Sequence, residues 1–278
     1  MRPSGHINPN TNARRYLSRA TSRSRTTPFA PIEPFTVTHP DADIEDSYRI
    51  AQLVTELKVA AGRTIKGHKV GLTSKAMQQM SGATEPDYGT ITDDWIVPEG
   101  STIDMTRLNR PLVEMEIAFV LKRELSGPGV NAADVIRATD FVLPAIEIVD
   151  TRYRGRGPNM LVDSVADAAW CGLVVLGGRP ARLTDLDIRR EGATLYKNGS
   201  IEESGVGSAV MGNPVNAMVW LANKLASFGV SMAAGSVVLS GSFVKAIPFA
   251  AGDTITALFN TLGDVAFATS APVATNQP

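Results

Sequence analysis

The stretch LVEMEIAFVL, residues 112–121, constrains the fold more than any other part of the chain. Side chains alternate across a strand with period two. Val113, Met115, Ile117, Phe119 and Leu121 therefore share one face, which a core must cover. Glu114 and Glu116 share the other. An ordinary half-exposed strand with its glutamates in water accounts for this stretch on its own. Residues 141–149, within FVLPAIEIVD, form a second apolar strand that carries one carboxylate, Glu147, and a solvated face accounts for that one as well. Three such glutamates on two candidate neighbouring strands open another reading. Hard divalent cations such as Mg²⁺ and Mn²⁺ prefer oxygen ligands, and Mg²⁺ usually keeps waters that a substrate can replace. Carboxylates on one wall of a sheet would supply such a site, although E-x-E is a common spacing.

The rest of the chain is read around these strands. Helical spacing begins after Asp43, a capping residue, and runs to Gly62. HKVGL is a short strand, and Ser74 caps a helix to Met80. Asn131 caps another short helix, over NAADVIRATD, and EPDYGTITDDWIVPEG reads as loop and short strand. The glycines and proline of RYRGRGPNM, residues 152–160, predict a flexible loop. Asn198-Gly199 marks a hairpin turn. Asn213-Pro214 opens an amphipathic helix to Phe228, stopped by Gly229. The tail alternates in strand fashion (SVVLSGSF, DTITALFN, DVAFAT). These elements predict an α+β domain over residues 43–272, with many strands rolled into a barrel-like sheet and a few flanking helices. Before it, residues 1–13 read as a disordered basic extension and 14–42 as an N-terminal arm. The arm holds a short basic helix and the proline-rich connection TTPFAPIEPF. The first 30 residues carry six arginines and no acid, a composition shared by organelle transit peptides, basic tails and misread start codons.

The segment KGHKVGLTSKAM, residues 66–77, sets Lys66, His68, Lys69 and Lys75 among glycines and short apolar residues. The whole chain has 27 Lys and Arg against 28 Asp and Glu, a net charge of −1. There is no chain-wide pull toward nucleic acid or an acidic membrane, and no apolar run approaches the ~18 residues that cross a bilayer. The single cysteine, Cys171, excludes an internal disulfide and a cysteine-built metal cluster, in keeping with a reducing, cytoplasmic setting.

GHKVGLTSKAMQ, EPDYG, PLVEMEIAFVL, VLPAIEIVD, NPVNAMVWLANKLASFGV and VVLSGSF follow in that order over roughly residues 40–270. Together they resemble the 2-hydroxyalka-2,4-dienoate hydratases of bacterial aromatic-ring degradation, members of the fumarylacetoacetate hydrolase superfamily. Decarboxylases acting on 4-oxalocrotonate share much of the pattern. The resemblance implies a mixed β-roll, homo-oligomeric assembly, and association with a decarboxylase or aldolase of the same route. It also implies a Mg²⁺ (or Mn²⁺) site from Glu114, Glu116 and Glu147, with Lys69 and Asp87 at the substrate. The implied reaction is hydration of a 2-oxoalkenoate such as 2-oxohept-4-ene-1,7-dioate or of 2-hydroxypenta-2,4-dienoate.

That chemistry develops enolate-like charge on the 2-oxygen, which Lys69 would neutralise beside the metal. Asp87 or Glu85 would move a proton or orient water. His68 reads either as a proton carrier or as a structural hydrogen-bonder, and Tyr88 as a ligand contact or as packing. Ser240 and Ser242 read as substrate hydroxyls or as parts of a tight glycine turn. Two departures bear on which acid is bound. The loop after EIVD is short, and Val244-Lys245-Ala246-Ile247-Pro248 stands where relatives tend to have an arginine-proline step. Lys245 is accordingly a candidate for the far end of the substrate. The alternatives within this frame are a decarboxylase and a non-catalytic partner subunit.

Overall fold

A computed structural model of the chain describes residues 31–271. The basic extension 1–13 and the predicted basic helix within 14–25 lie outside the described residues. Among the described residues there are thirteen strands: β1 (Ile65–Gly71), β2 (Asp87–Thr92), β3 (Ile96–Pro98), β4 (Thr102–Ile103), β5 (Leu112–Leu121), β6 (Thr139–Val149), β7 (Cys171–Leu176), β8 (Gly192–Lys197), β9 (Ser200–Val206), β10 (Val237–Leu239), β11 (Ile247–Pro248), β12 (Thr254–Phe259) and β13 (Gly263–Thr269). They form a mixed, curled larger sheet in the order β2-β1-β10-β5-β6-β7-β3, with β11 also paired to β5. A second sheet, β4-β13-β12-β8-β9, packs its β12 and β13 against β6.

The local rules of the sequence are visible in the elements. Asp43 caps the helix Ile44–Ala60 with a capping box, accepting from the backbone N–H of Glu45 and Asp46. Ser74 caps Lys75–Ser81, and Asn131 caps Ala132–Ala138. Asn198 and Gly199 both take positive φ, as a two-residue hairpin turn requires, between β8 and β9. The helix Pro214–Ala226 begins as predicted and ends two residues early, at a Ser227 cap.

β5 holds its predicted register. Val113, Met115, Ile117, Phe119 and Leu121 are buried in the main core, against Met218, Leu221 and Leu225 of the helix Pro214–Ala226. Ala118 on the opposite face joins a smaller cluster with Ile91, Ala145, Val174 and Leu239. That cluster lies on the face of the sheet that carries the glutamates. Fully burying side chains of this size is worth about 1.5–3 kcal/mol each, so the register of β5 is fixed by its apolar face, and the carboxylates follow.

The expected flexible loop at 152–160 is corrected at its start. Arg152 is 3% exposed, and its Nε donates to Asp167 Oδ1 at 2.6 Å. Its other nitrogens donate to the carbonyl oxygens of Asp150, Asp167 and Cys171. Tyr153 is buried and bridges to Ile32. A buried guanidinium with all three nitrogens bonded anchors the start of this segment, ahead of its glycines. A short helix that periodicity did not reveal, Met160–Ala166, follows it.

Candidate active site

Antiparallel pairing of β5 and β6 sets Glu114 directly opposite Glu147 and places Glu116 opposite Ala145, one step along the same face. Period-two alternation turns all three carboxylates to the same face of the sheet. Carboxylate oxygens from the three lie within 4.8 Å of one another. Glu147 is fully buried, Glu116 is 1% exposed and Glu114 is half-buried.

Their polar demands are not met by protein alone. Glu116 Oε2 accepts a 2.7 Å hydrogen bond from the Gly241 N–H. Glu116 Oε1 and Glu147 Oε2 have no hydrogen-bond donor among the described residues. Burial raises the pKa of Glu114 to about 7, aided by the charge of Glu147. Burial, then Glu147 and Glu114, push Glu116 well above the usual carboxylate range. Buried carboxylates that crowd each other and leave lone pairs bare fit a hard cation, which binds oxygens at about 2.0–2.6 Å. The donor set is all oxygen, as Mg²⁺ or Mn²⁺ prefers.

β1 brings in the counter-charge. Lys69 is 5% exposed, and its Nζ lies 3.2 Å from Glu147 Oε1. Burial alone would lower the Lys69 pKa, but the charges of Glu147, Asp87, Glu114 and Glu116 outweigh it and the net shift is upward, so Lys69 stays protonated. Asp87 begins β2 opposite Gly71 of β1. Its pKa is raised by burial, against the pull of Lys69 and with a push from Glu147. Its Oδ2 accepts from Ser164 Oγ at 3.4 Å, and its Oδ1 has no partner among the described residues.

Two glycines make this geometry possible. A Cβ on Gly71 would stand 2.2 Å from Asp87 Oδ1 and 3.2 Å from Lys69 Nζ, so the missing side chain is the space in which these two groups meet. Gly241 has φ +111°, which side-chain-bearing residues rarely adopt, and a Cβ there would strike Thr73. Its N–H can thereby point at Glu116. Sequence reading did not single out Gly71, Gly241 or Ser164. The glycines stood in quoted motifs, but Ser164 comes from a stretch with no local signal.

The remaining predicted site residues stand elsewhere. His68 and Tyr88 neighbour Lys69 and Asp87 in sequence, and alternation turns them to the opposite face of β1 and β2, which they share with Val70 and the main core. Tyr88 stacks on Tyr48 at 4.6 Å there, with the His68 ring 6.3 Å away. Glu85 is exposed, accepting from Lys224 Nζ at 2.7 Å and Trp220 Nε1 at 3.3 Å. Ser240 is buried, its hydroxyl without a partner among the described residues, and it precedes Gly241. The Ser242 hydroxyl closes a tight turn, donating to the Val244 carbonyl and accepting from the Val244 N–H. Lys245 is exposed.

No family model matches the chain. Comparison with individual proteins is informative. The chain is 42% identical over 239 residues to the 2-oxo-hept-4-ene-1,7-dioate hydratase of Escherichia coli, covering 84% of this chain and 90% of that protein. It is 40% identical to the 2-hydroxyhexa-2,4-dienoate hydratase of Comamonas testosteroni, over 84% of this chain and 88% of that one. Among solved structures it resembles the 4-oxalocrotonate decarboxylase of Pseudomonas putida G7, complexed with magnesium and adipate. The TM-score is 0.84 at 35% identity, over 92% of this chain and 97% of that one. Sequence, fold and the buried carboxylate cluster thus agree: the chain belongs to the family of 2-hydroxydienoate hydratases and 4-oxalocrotonate decarboxylases.

Proposed function

We propose that the chain is a divalent-metal-dependent hydro-lyase that adds water to a 2-hydroxyalka-2,4-dienoate by way of its 2-oxo tautomer. The observation that carries this reading is the buried cluster of three carboxylates with Lys69 and Asp87 beside it. Glu114, Glu116 and Glu147 would hold Mg²⁺ or Mn²⁺, and the bound ion supplies Lewis acidity toward the 1-carboxylate and 2-oxygen of such a substrate.

The chain's own groups do the rest. Lys69 is a fixed cation in a site almost closed to water. It stabilises negative charge on the substrate oxygen without reorganising, which is where preorganised donors are worth most. Asp87 has a raised pKa and an unpartnered oxygen. It can give a proton to the far end of the dienol as the 2-hydroxyl releases its own, then take one from the water whose hydroxide adds to C4; the released proton ends on C3 of the resulting enolate, so that one water is gained overall. Ser164 orients it. Gly71 leaves the room in which Asp87 and Lys69 converge. In this assignment His68, Tyr88, Glu85, Ser242 and Lys245 stand outside the reacting centre.

A decarboxylase is the second reading. It is favoured by the likeness to the solved decarboxylase and by 38% identity to the 4-oxalocrotonate decarboxylase of Pseudomonas sp. (strain CF600). It needs the same enolate stabilisation, with carbon dioxide leaving in place of water arriving.

The substrates named for the relatives support a small 2-oxo or 2-hydroxydienoic acid as the substrate of this chain, and we propose that it acts as a homo-oligomer. The test is turnover of 2-hydroxypenta-2,4-dienoate, followed by loss of dienol absorbance. Exhaustive chelation abolishes turnover, and Mg²⁺ or Mn²⁺ restores it. Undiminished turnover after chelation and dialysis removes the metal from the mechanism.

A further inference from the structure

Behind the proposed reacting centre, on the opposite face of β1 and β2, lies a cavity of about 500 Å³ between that face, the helix Ile44–Ala60 and the segment 225–231. Its aromatic wall is built from Tyr48 and Tyr88, stacked at 4.6 Å, with Phe228 tilted against Tyr48 at 5.2 Å. Val59 and Ile65 line it and are 45% and 50% exposed. His68 lines it too and is 4% exposed. Its Nδ1 is buried without a hydrogen-bond partner among the described residues, although buried polar atoms in folded proteins are nearly always paired.

We propose that this cavity is a binding site for a small uncharged hydroxylated aromatic molecule of one or two rings, hydrogen-bonded to His68. The size lies within the range of small-molecule sites, which are mostly apolar with a few placed polar groups. Ring faces and edges already arranged in stacked and tilted pairs accept another ring in the same geometries. Glu56 lines the cavity and no lysine or arginine does; Lys224, whose Nζ stands 5.3 Å from the Tyr48 ring, is already paired with Glu85 at 2.7 Å, so a carboxylate or phosphate ligand is disfavoured. Burial holds His68 neutral, its pKa lowered to about 4. A neutral imidazole offers one donor and one acceptor, and a hydroxyl group matches either. The charge requirement is the reverse of that of the carboxylate cluster, where Lys69 and a cation would favour an anionic acid. This second site does not rest on the hydratase reading. It shares only the strands, since Lys69 and Asp87 are the sequence neighbours of His68 and Tyr88.

The probe is 2-naphthol, uncharged at neutral pH and fluorescent, titrated into the full-length protein alongside 2-naphthoate, its anionic counterpart. The expected result is saturable binding of 2-naphthol, with 2-naphthoate at least tenfold weaker. Thr55→Phe projects a ring into the cavity from the helix and weakens 2-naphthol at least tenfold. Ser231→Phe fills it from the opposite wall and does the same, which secures the test if either variant folds poorly. Saturable binding with the anion as tight as the neutral probe overturns the proposed ligand class. Absence of saturable binding to the wild type, or equal affinity in a folded cavity-filled variant, overturns the site.

Discussion

Glu116→Gln is the substitution whose consequences can be worked furthest. Gln keeps the size of the side chain and an oxygen for the Gly241 N–H, which donates to Glu116 at 2.7 Å. It removes one of three anionic oxygens gathered within 4.8 Å. Changes even in groups that only support metal ligands cost 10–100-fold in affinity, so loss of a ligand charge costs at least that. The stability consequence follows by mass action. At an ion concentration 100 times the wild-type Kd, binding stabilises the wild type by about 2.7 kcal/mol. A variant weakened 100-fold gains only about 0.4 kcal/mol at the same concentration. In the metal-free protein the sign reverses. A carboxyl whose folded pKa is raised costs stability as pH climbs above its unfolded value, and the amide is spared that cost. At neutral pH the metal-free variant is therefore as stable as the wild type or more so. Titration calorimetry with Mn²⁺ and urea unfolding with and without the ion read both effects. Wild-type Mn²⁺ affinity in the variant refutes the three-carboxylate site.

Other outcomes follow from the same geometry. Lys69→Met leaves Mn²⁺ affinity within a few-fold of wild type and lowers kcat by roughly 10²–10³, the scale for losing one preorganised electrostatic donor; calorimetry and steady-state kinetics read the two effects separately. Gly71→Ala drives a methyl group into Asp87 Oδ1, 2.2 Å away, and lowers kcat by at least ~10-fold, since misplacing a reacting group by about 1 Å can cost 10²-fold; kinetics beside a circular-dichroism melt check it. His68 has its folded pKa depressed from 6.5 to about 4 by burial, so the folded state resists a proton that the unfolded state accepts. Its stabilising contribution is full above pH 6.5 and is lost as pH falls toward 4, a change of about 3 kcal/mol. Tyr48, Tyr88 and Glu56 line the same cavity. Urea unfolding across this range, wild type against His68→Gln, shows the slope flattening in the variant.

The strands that carry the carboxylates were legible because their signal is local. Apolar side chains at every second position of 113–121 leave Glu114 and Glu116 only one face to occupy, and the structure keeps that register. The helix caps at Asp43, Ser74 and Asn131 were legible for the same reason. Of the two readings of His68, a proton carrier at the Lys69 site goes against the same rule, since consecutive residues of a strand face opposite sides. Glu85 precedes Pro86 and β2, and nothing local forecast its pairing with Lys224, 139 residues away. Ser164 meets Asp87 across 77 residues, a contact made only by the folded sheet. The anchored start of the 152–160 segment was hidden by its glycines, because the Arg152–Asp167 pair that fixes it depends on burial rather than on sequence spacing. The left-handed turn at Ala168, Ala169 and Trp170 has no glycine to announce it.

The central claim is that this carboxylate, lysine and aspartate cluster adds water to a conjugated 2-oxo acid. The most direct measurement is mass analysis of the product from 2-hydroxypenta-2,4-dienoate, with Mg²⁺ and in isotopically labelled water. The account predicts a product heavier than the substrate by one labelled water, formed only with the divalent ion and diminished in Lys69→Met. The claim is contradicted by a product lighter by one carbon dioxide from a dicarboxylic substrate, with no hydration of any dienoate tested.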